Sequence, residues 1–268
     1  MRSKSILIAV MVMMFFTAPG SAESITVNGS TTVLPIMQKA VEAYMKKYPD
    51  IGFSVSGTGS GNGIKAMIDG TTDIAMASRF IKDKEVKTAF EKGIYPVPFV
   101  VGIDALVPVV HPSNSVDNLS LEEMKQIYSG KITNWKKVGG PDKRIVVISR
   151  DTSSGTYETW SKIVLNKERV FPGALLQASN GAVVQAVSKN PNAIGYIGYG
   201  YLNEDVKQIS ADGVLGGPDT LAKYPISRDL YIFTNGWPKG NVKGFIMWLQ
   251  NPDKGQKYVD EAGYMRLW

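Results

Sequence analysis

The chain has 268 residues, no cysteine, one histidine (His111) and a formal charge of +6. Without thiols, and with a single imidazole, it offers little to a zinc or thiolate metal centre, and neither disulfide nor cofactor is expected. A core must therefore hold the fold together, and roughly 245 residues suffice for two compact lobes.

The first 22 residues read as a secretory signal. Arg2 and Lys4 precede an almost wholly apolar run over residues 6–16, and Gly20-Ser21-Ala22 gives a small-residue cleavage pattern before Glu23. That run falls short of the roughly 20 residues that span a membrane, and no later stretch is apolar enough to do so. With no cysteine to carry a lipid anchor, a free periplasmic protein is expected. Loss of Arg2 and Lys4 lowers the charge from +6 to +4. Basic and acidic residues alternate, as on the solvated face of residues 83–92, which speaks against nucleic-acid binding.

In chain order, residues 24–28 read as a strand running into GSTTVLP (29–35). Val33, Met37, Val41, Met45 and Tyr48 then recur at helical spacing, with Pro35 in the first turn and Pro49 as the stop. A strand over 52–56 enters SGTGSGNG (56–63), and a short helix with Ile64, Met67 and Ile68 ends at Gly70. A buried strand over 73–77 delivers Ser78 and Arg79. Residues 95–110 are strand-like but interrupted by Pro96, Pro98 and Gly102, and read as the crossing between lobes. Ser120 to Glu123 form a capping box that opens a helix.

A core strand over 144–149 runs into RDTSSGT (150–156), followed by a helix carrying Trp160, Ile163, Val164 and Leu165. A helix over 183–187, a buried strand over 193–199, a returning strand over 229–233 and a helix over 242–249 complete the pattern. Strand, loop, helix, strand is an α/β arrangement, and ligands of such sheets collect beyond the carboxyl ends of the strands. The expected organisation is a signal (1–22), a first lobe (23–104), a second lobe (105–225) and a return to the first (226–268).

Three segments combine hydroxyls and glycine where a helix begins, and one adds Arg150. Glycine admits close approach, hydroxyls donate, and the first turn of a helix attracts anions. Together they read as a cradle for a small tetrahedral oxyanion. Enzyme chemistry finds no support. There is no G-x-S-x-G elbow, His111 precedes a proline, and Asn62 stands where a dinucleotide fingerprint needs glycine. The P-loop ending GK[ST] is absent as well.

GSTTVLP, SGTGSGNG, DIAMASR, LSLEEMKQIYSGKITNW, RDTSSGT and AIGYIGYGYL occur in this order. Together they resemble the phosphate-binding proteins of bacterial phosphate ABC importers, over essentially all of the mature chain. The resemblance implies a two-lobed, type 2 periplasmic-binding-protein fold, each lobe a mixed sheet flanked by helices and joined by crossing strands. It implies a monomer that closes over one dehydrated inorganic phosphate and delivers it to a membrane permease. Sulfate or molybdate binding, or phosphate-ester processing, are the alternatives.

By the same resemblance Arg150 pairs with the anion, Ser154, Gly155 and Thr156 donate at a helix start, and Ser60 and Ser78 donate from the glycine loop and third strand. In the first segment the match is ambiguous among Ser30, Thr31 and Thr32, and Thr31 and Thr32 are favoured. One position departs from the pattern. Arg79 stands where well-known members carry an aspartate that accepts the proton of hydrogen phosphate, and arginine cannot accept. Either Arg79 contacts the anion, which is the expectation adopted, or it turns away to bind an acid. Asp151 is a substitute acceptor or holds Arg150.

Overall fold

The computed structural model describes residues 23–267, so the expected signal lies outside the described residues. The first elements are β1 (Glu23–Gly29), α1 (Leu34–Lys47), β2 (Ile51–Gly57), α2 (Ser60–Ile68), β3 (Ile74–Ala77) and α3 (Asp83–Glu91). They are followed by β4 (Pro96–Val110), β5 (Asn118–Leu119), α4 (Leu121–Tyr128), β6 (Val146–Arg150), α5 (Gly155–Ile163), β7 (Leu175–Gln177) and α6 (Asn180–Ser188). The chain ends with β8 (Ala193–Gly198), β9 (Lys207–Gln208), β10 (Ser210–Ala211), β11 (Ser227–Asn235), α7 (Gly240–Leu249) and α8 (Lys257–Glu261).

Local signals explain the boundaries. In α1, Pro35 sits in the first turn, and Ile36, Met37, Ala40, Val41 and Tyr44 form the buried stripe. The capping box of α4 closes in both directions, with Glu123 N–H on Ser120 Oγ at 3.1 Å and Ser120 N–H on Glu123 Oε2 at 2.8 Å.

The main sheet runs β2-β1-β3-β11-β4-β8-β6-β7, with β9 also paired to β4. One half of β4 pairs antiparallel with β11 and the other with β8, so a single strand serves both lobes. The expected interruption of this crossing does not occur. Over residues 96–105 β4 pairs with β11 and otherwise makes only an isolated bridge from Ile103 to Met265, so its early prolines need no second partner strand. A bulge absorbs the irregularity, since Leu230 faces Gly102 and Tyr231 faces Val100, leaving Val101 unpaired.

Each lobe has its own core. In the first, Ile25, Met37, Phe245 and Trp248 pack on one face of the sheet, and Ile64, Met67 and Phe233 on the other. In the second, Tyr128, Trp135, Trp160 and Tyr196 are buried, with the rings of Trp160 and Tyr196 stacked 4.3 Å apart. Each fully buried apolar side chain of this size contributes about 1.5–3 kcal/mol. These cores hold the carboxyl ends of β1, β2, β3 and β6 toward one another. Those ends deliver Thr31 and Thr32, Ser60, Ser78 and Arg150 in turn.

Candidate anion-binding site

Turn chemistry places each hydroxyl. Ser30 Oγ accepts the N–H groups of Thr32 and Val33 at 3.1 and 3.3 Å, which commits it to the entrance of α1. Its neighbours Thr31 and Thr32 reach onward. Gly59 has φ of +106°, and a Cβ there would stand 2.6 Å from Ser153 Oγ, so only glycine fits before Ser60. Ser78 N–H donates to Ser60 Oγ at 3.0 Å. Ser154 caps α5 by accepting from Tyr157 N–H at 3.2 Å, and the first-turn N–H groups of that helix have no intrahelical acceptor. A Cβ on Gly155 would lie 2.4 Å from Ser60 Oγ and 2.6 Å from Ser78 Oγ, so this helix start presses directly on the opposite lobe.

Residues distant in sequence converge here. Thr32 Oγ1 and Thr156 Oγ1 are 2.9 Å apart. Arg150 directs Nη2 to Thr31 Oγ1 at 3.3 Å and to the Ala178 carbonyl at 2.9 Å, and Nε to the Gln177 carbonyl at 3.0 Å. Its own N–H is held by the hydroxyl of Tyr196 at 3.2 Å, so the aromatic core of the second lobe fixes its position. Thr31, Thr32, Ser60, Ser78, Arg150, Ser154, Gly155 and Thr156 are all buried. The backbone also closes the seam, with Gly61 N–H on the Ser153 carbonyl at 2.8 Å and a Lys82–Glu158 ion pair beside it.

Arg150 is 1% exposed, yet no carboxylate forms an ion pair with it among the described residues. Its Nη1 is buried without a partner. Burial pushes its pKa down, opposed by Tyr196 and Asp151, but a guanidinium keeps its proton in a protein. Burial pushes the Tyr196 and Tyr201 hydroxyls each up to about 12, so both stay protonated. Tyr201 donates to the Thr31 carbonyl at 2.6 Å. An unneutralised buried cation ringed by donors is an arrangement that an anion completes.

Arg79 departs from the expectation adopted for it. Its Nη1 and Nη2 bind Glu85 at 2.8 and 2.7 Å, and Nη1 also donates to the Phe80 carbonyl at 2.9 Å. Only Nε is left, buried and without a partner. An acid in the first turn of α3 satisfies the fork better than a shared anion, because the bidentate geometry is local and complete. Burial raises the Glu85 pKa, but the hydrogen bonds from Arg79 and Lys82 N–H outweigh it and hold the carboxyl below its ordinary value. Asp151 accepts from the N–H of Ser153 at 2.8 Å and from its hydroxyl, so its carboxylate serves its own turn.

Two groups escaped the sequence reading. Asn180 is fully buried and donates through Nδ2 to Thr31 Oγ1 at 3.2 Å and Thr32 Oγ1 at 3.0 Å. Its place in Ser-Asn-Gly before a helix was the available signal. Arg228 on β11 pairs with Asp104 on β4 at 2.7 Å and also touches Thr32 and Thr156. Burial pushes the Asp104 carboxyl up, and the Arg228 guanidinium and Tyr199 N–H pull it back. A lone charge in a strand gives no local pattern that points to a partner so far along the chain.

Comparison with known proteins agrees with this geometry. A sequence model of the PBP superfamily domain matches residues 17–253. The phosphate-binding protein PstS of Bacillus subtilis is 33% identical over 245 residues, covering 90% of this chain and 80% of that protein. PstS of Staphylococcus saprophyticus is 36% identical over 255 residues, covering 90% and 79%. A crystal structure from Clostridium perfringens, described as a phosphate ABC transporter substrate-binding protein with bound phosphate, superposes with a TM-score of 0.86 at 31% identity, covering 92% of this chain and 100% of that one. An ABC-type phosphate transport receptor from Vibrio cholerae gives a TM-score of 0.73 at 34% identity, covering 90% and 99%.

Two lobes sharing long strands, with donors from both around one buried cation, define a solute-binding protein of the two-lobed type 2 class. Within the PBP superfamily, the chain belongs to the phosphate-binding proteins of phosphate ABC importers.

Proposed function

We propose that this protein captures inorganic phosphate between its lobes and hands it to the membrane permease of an ABC importer. The observation that carries the reading is Arg150, buried without a carboxylate, with Nη2 on the Thr31 hydroxyl and Nη1 left without a partner. Thr31, Ser60, Ser78, Ser154 and Thr156 supply hydroxyl donors, Gly155 and Thr156 supply N–H groups, and Thr32 orders the hydroxyls around it. Arg79 borders this ring and offers Nε alone.

The lobes comprise residues 23–104 with 226–268, and 105–225. This division is supported by the separate cores, with Ile226 and Met265 of the returning segment packing into the core of the second lobe, and by the strands that pass between them. The protein binds without turnover, a reading supported by the acids near the ring, which are already engaged, and by the lack of an activated nucleophile facing it among the described residues. It acts as a monomer in the periplasm after loss of residues 1–22, and does not bind nucleic acid. No helix among the described residues is long and apolar enough to cross a membrane.

One observation favours a second reading, a different tetrahedral oxyanion such as sulfate or molybdate: Arg79 occupies the position where an acceptor would take the proton of hydrogen phosphate. Calorimetric titration with phosphate, sulfate, molybdate and organic phosphates separates these readings. Phosphate as the tightest ligand, at one site per chain, supports the first, and tighter binding of another oxyanion supports the second. Turnover of a phosphomonoester that persists through further purification contradicts both.

A further inference from the structure

Lys82 and Glu158 form the one ion pair that joins the two lobes among the described residues. Lys82 Nζ donates to Glu158 Oε1, while the other ion pairs each lie within a lobe as divided above. The two side chains are 32% and 29% exposed, so the pair stands at the edge of the seam. Both border a cavity of about 510 Å3 that also reaches Arg79, Thr159 and Arg228, which gives them room to part into solvent.

Each partner is held by its own lobe. Lys82 precedes α3, and its N–H donates to Glu85 Oε2 at 2.9 Å, the carboxylate that Arg79 grips at 2.8 and 2.7 Å. The Arg79–Glu85 pair thus fixes the stem from which Lys82 reaches across. Glu158 lies in the first turn of α5, two residues beyond Thr156 or about 3 Å of helix rise. Helical side chains lean toward the N-terminus, so its carboxylate sits by the helix start that offers the Gly155 and Thr156 N–H groups. That is well inside a screening length of about 8 Å. A helix start attracts any negative charge, and Glu158 competes there with a bound anion. Lys162, one turn further along α5, makes no ion pair with Glu158 among the described residues.

We propose that Lys82 is a positioning residue that acts through Glu158 as a counter-charge delivered by closure. When the lobes meet, it neutralises Glu158, removes a repulsion from the phosphate at the head of α5, and clamps the seam. When they part, the Glu158 charge is exposed beside the anion and hastens its release. The proposal rests on the site assignment above and couples the affinity of that site to lobe closure.

The two partners are therefore unequal. Lys82→Met loses the clamp and leaves Glu158 bare, and should weaken phosphate binding about tenfold, an exposed ion pair and a comparable repulsion together. Glu158→Gln loses the clamp but also the repulsion, and should stay within about twofold of the unaltered chain. Adding Glu158→Gln to Lys82→Met should restore most of the lost affinity. Lys162→Met, a control for loss of any nearby positive charge, should stay within about twofold.

The test is titration calorimetry of the full mature chain and these variants with inorganic phosphate, beside melting temperatures without ligand, which should agree because the pair lies outside both cores. The proposal is overturned by equal weakening in the two single variants with no rescue in the double, as a merely structural bridge would give. A loss in Lys162→Met as large as that in Lys82→Met also overturns it. Arg150→Ala separates this from the site reading. If Arg150→Ala retains phosphate affinity, the site reading falls and the proposal with it. If it loses affinity while Glu158→Gln fails to rescue Lys82→Met, only the counter-charge falls.

Discussion

Thr32 Oγ1 and Thr156 Oγ1, 124 positions apart in sequence, lie 2.9 Å from each other where the two lobes meet. Thr32 opens the first helix of one lobe, and Thr156 sits in the first turn of a helix of the other. The contact exists only while the lobes are together, and an anion drawing donors from both sides favours that state. Small-angle scattering should therefore show a smaller radius of gyration with saturating phosphate than without it. Superimposable curves would mean a rigid, preformed site.

Gly155 offers a sharper local test. A Cβ there meets Ser60 Oγ at 2.4 Å and Ser78 Oγ at 2.6 Å, both from the opposite lobe. Gly155→Ala should therefore hold the lobes apart and weaken phosphate binding by at least about tenfold, the worth of one or more charge-assisted hydrogen bonds. The separate cores should keep the melting temperature within a few degrees. Unchanged affinity would show that closure does not bring these groups together.

The two arginines should separate in magnitude. Both Nη atoms of Arg79 are on Glu85, so Arg79→Ala should cost no more than about fivefold in phosphate affinity, or ~1 kcal/mol. Arg150 has no carboxylate partner, and Arg150→Ala should cost at least about a hundredfold, or ~3 kcal/mol. Calorimetry on the two variants decides it. Equal losses would put Arg79 on the anion after all.

These residues also show what a sequence conveys and what it withholds. Thr31, Thr32, Ser60, Ser154, Gly155 and Thr156 were legible because a hydroxyl beside glycine at a helix start is a local pattern with a local cause. Arg150 was legible from its place between a core strand and Ser-Gly-Thr. The strand, loop and helix alternation gave most elements of the fold in order. Whether Arg79 would choose Glu85 or the anion was not legible, since both partners suit a guanidinium equally from sequence. The pair Asp104–Arg228 left no trace, because its partners meet only when β4 and β11 align. The continuity of β4 was hidden by Pro96 and Pro98, which break a strand only where both of its edges are paired.

Acid should expose the role of Glu85. Its folded-state pKa lies below its ordinary value, so its stabilising contribution is present above the unfolded-state pKa and is lost as pH falls through the folded value. Its side chain is 18% exposed, which leaves the pair with Arg79 only partly screened. Glu85→Gln should lower the melting temperature at neutral pH and reduce the further drop on acidification. An unchanged acid dependence would show that the Arg79–Glu85 pair contributes nothing to stability.

The central claim is that Arg150 and the hydroxyls around it hold one phosphate, and titration calorimetry of the unaltered chain beside Arg150→Ala tests it most directly. The account predicts one site per chain with micromolar or tighter affinity, near −8 kcal/mol, and loss of most of that affinity in the variant. Absence of phosphate binding by the unaltered chain, or binding undiminished by Arg150→Ala, would contradict it.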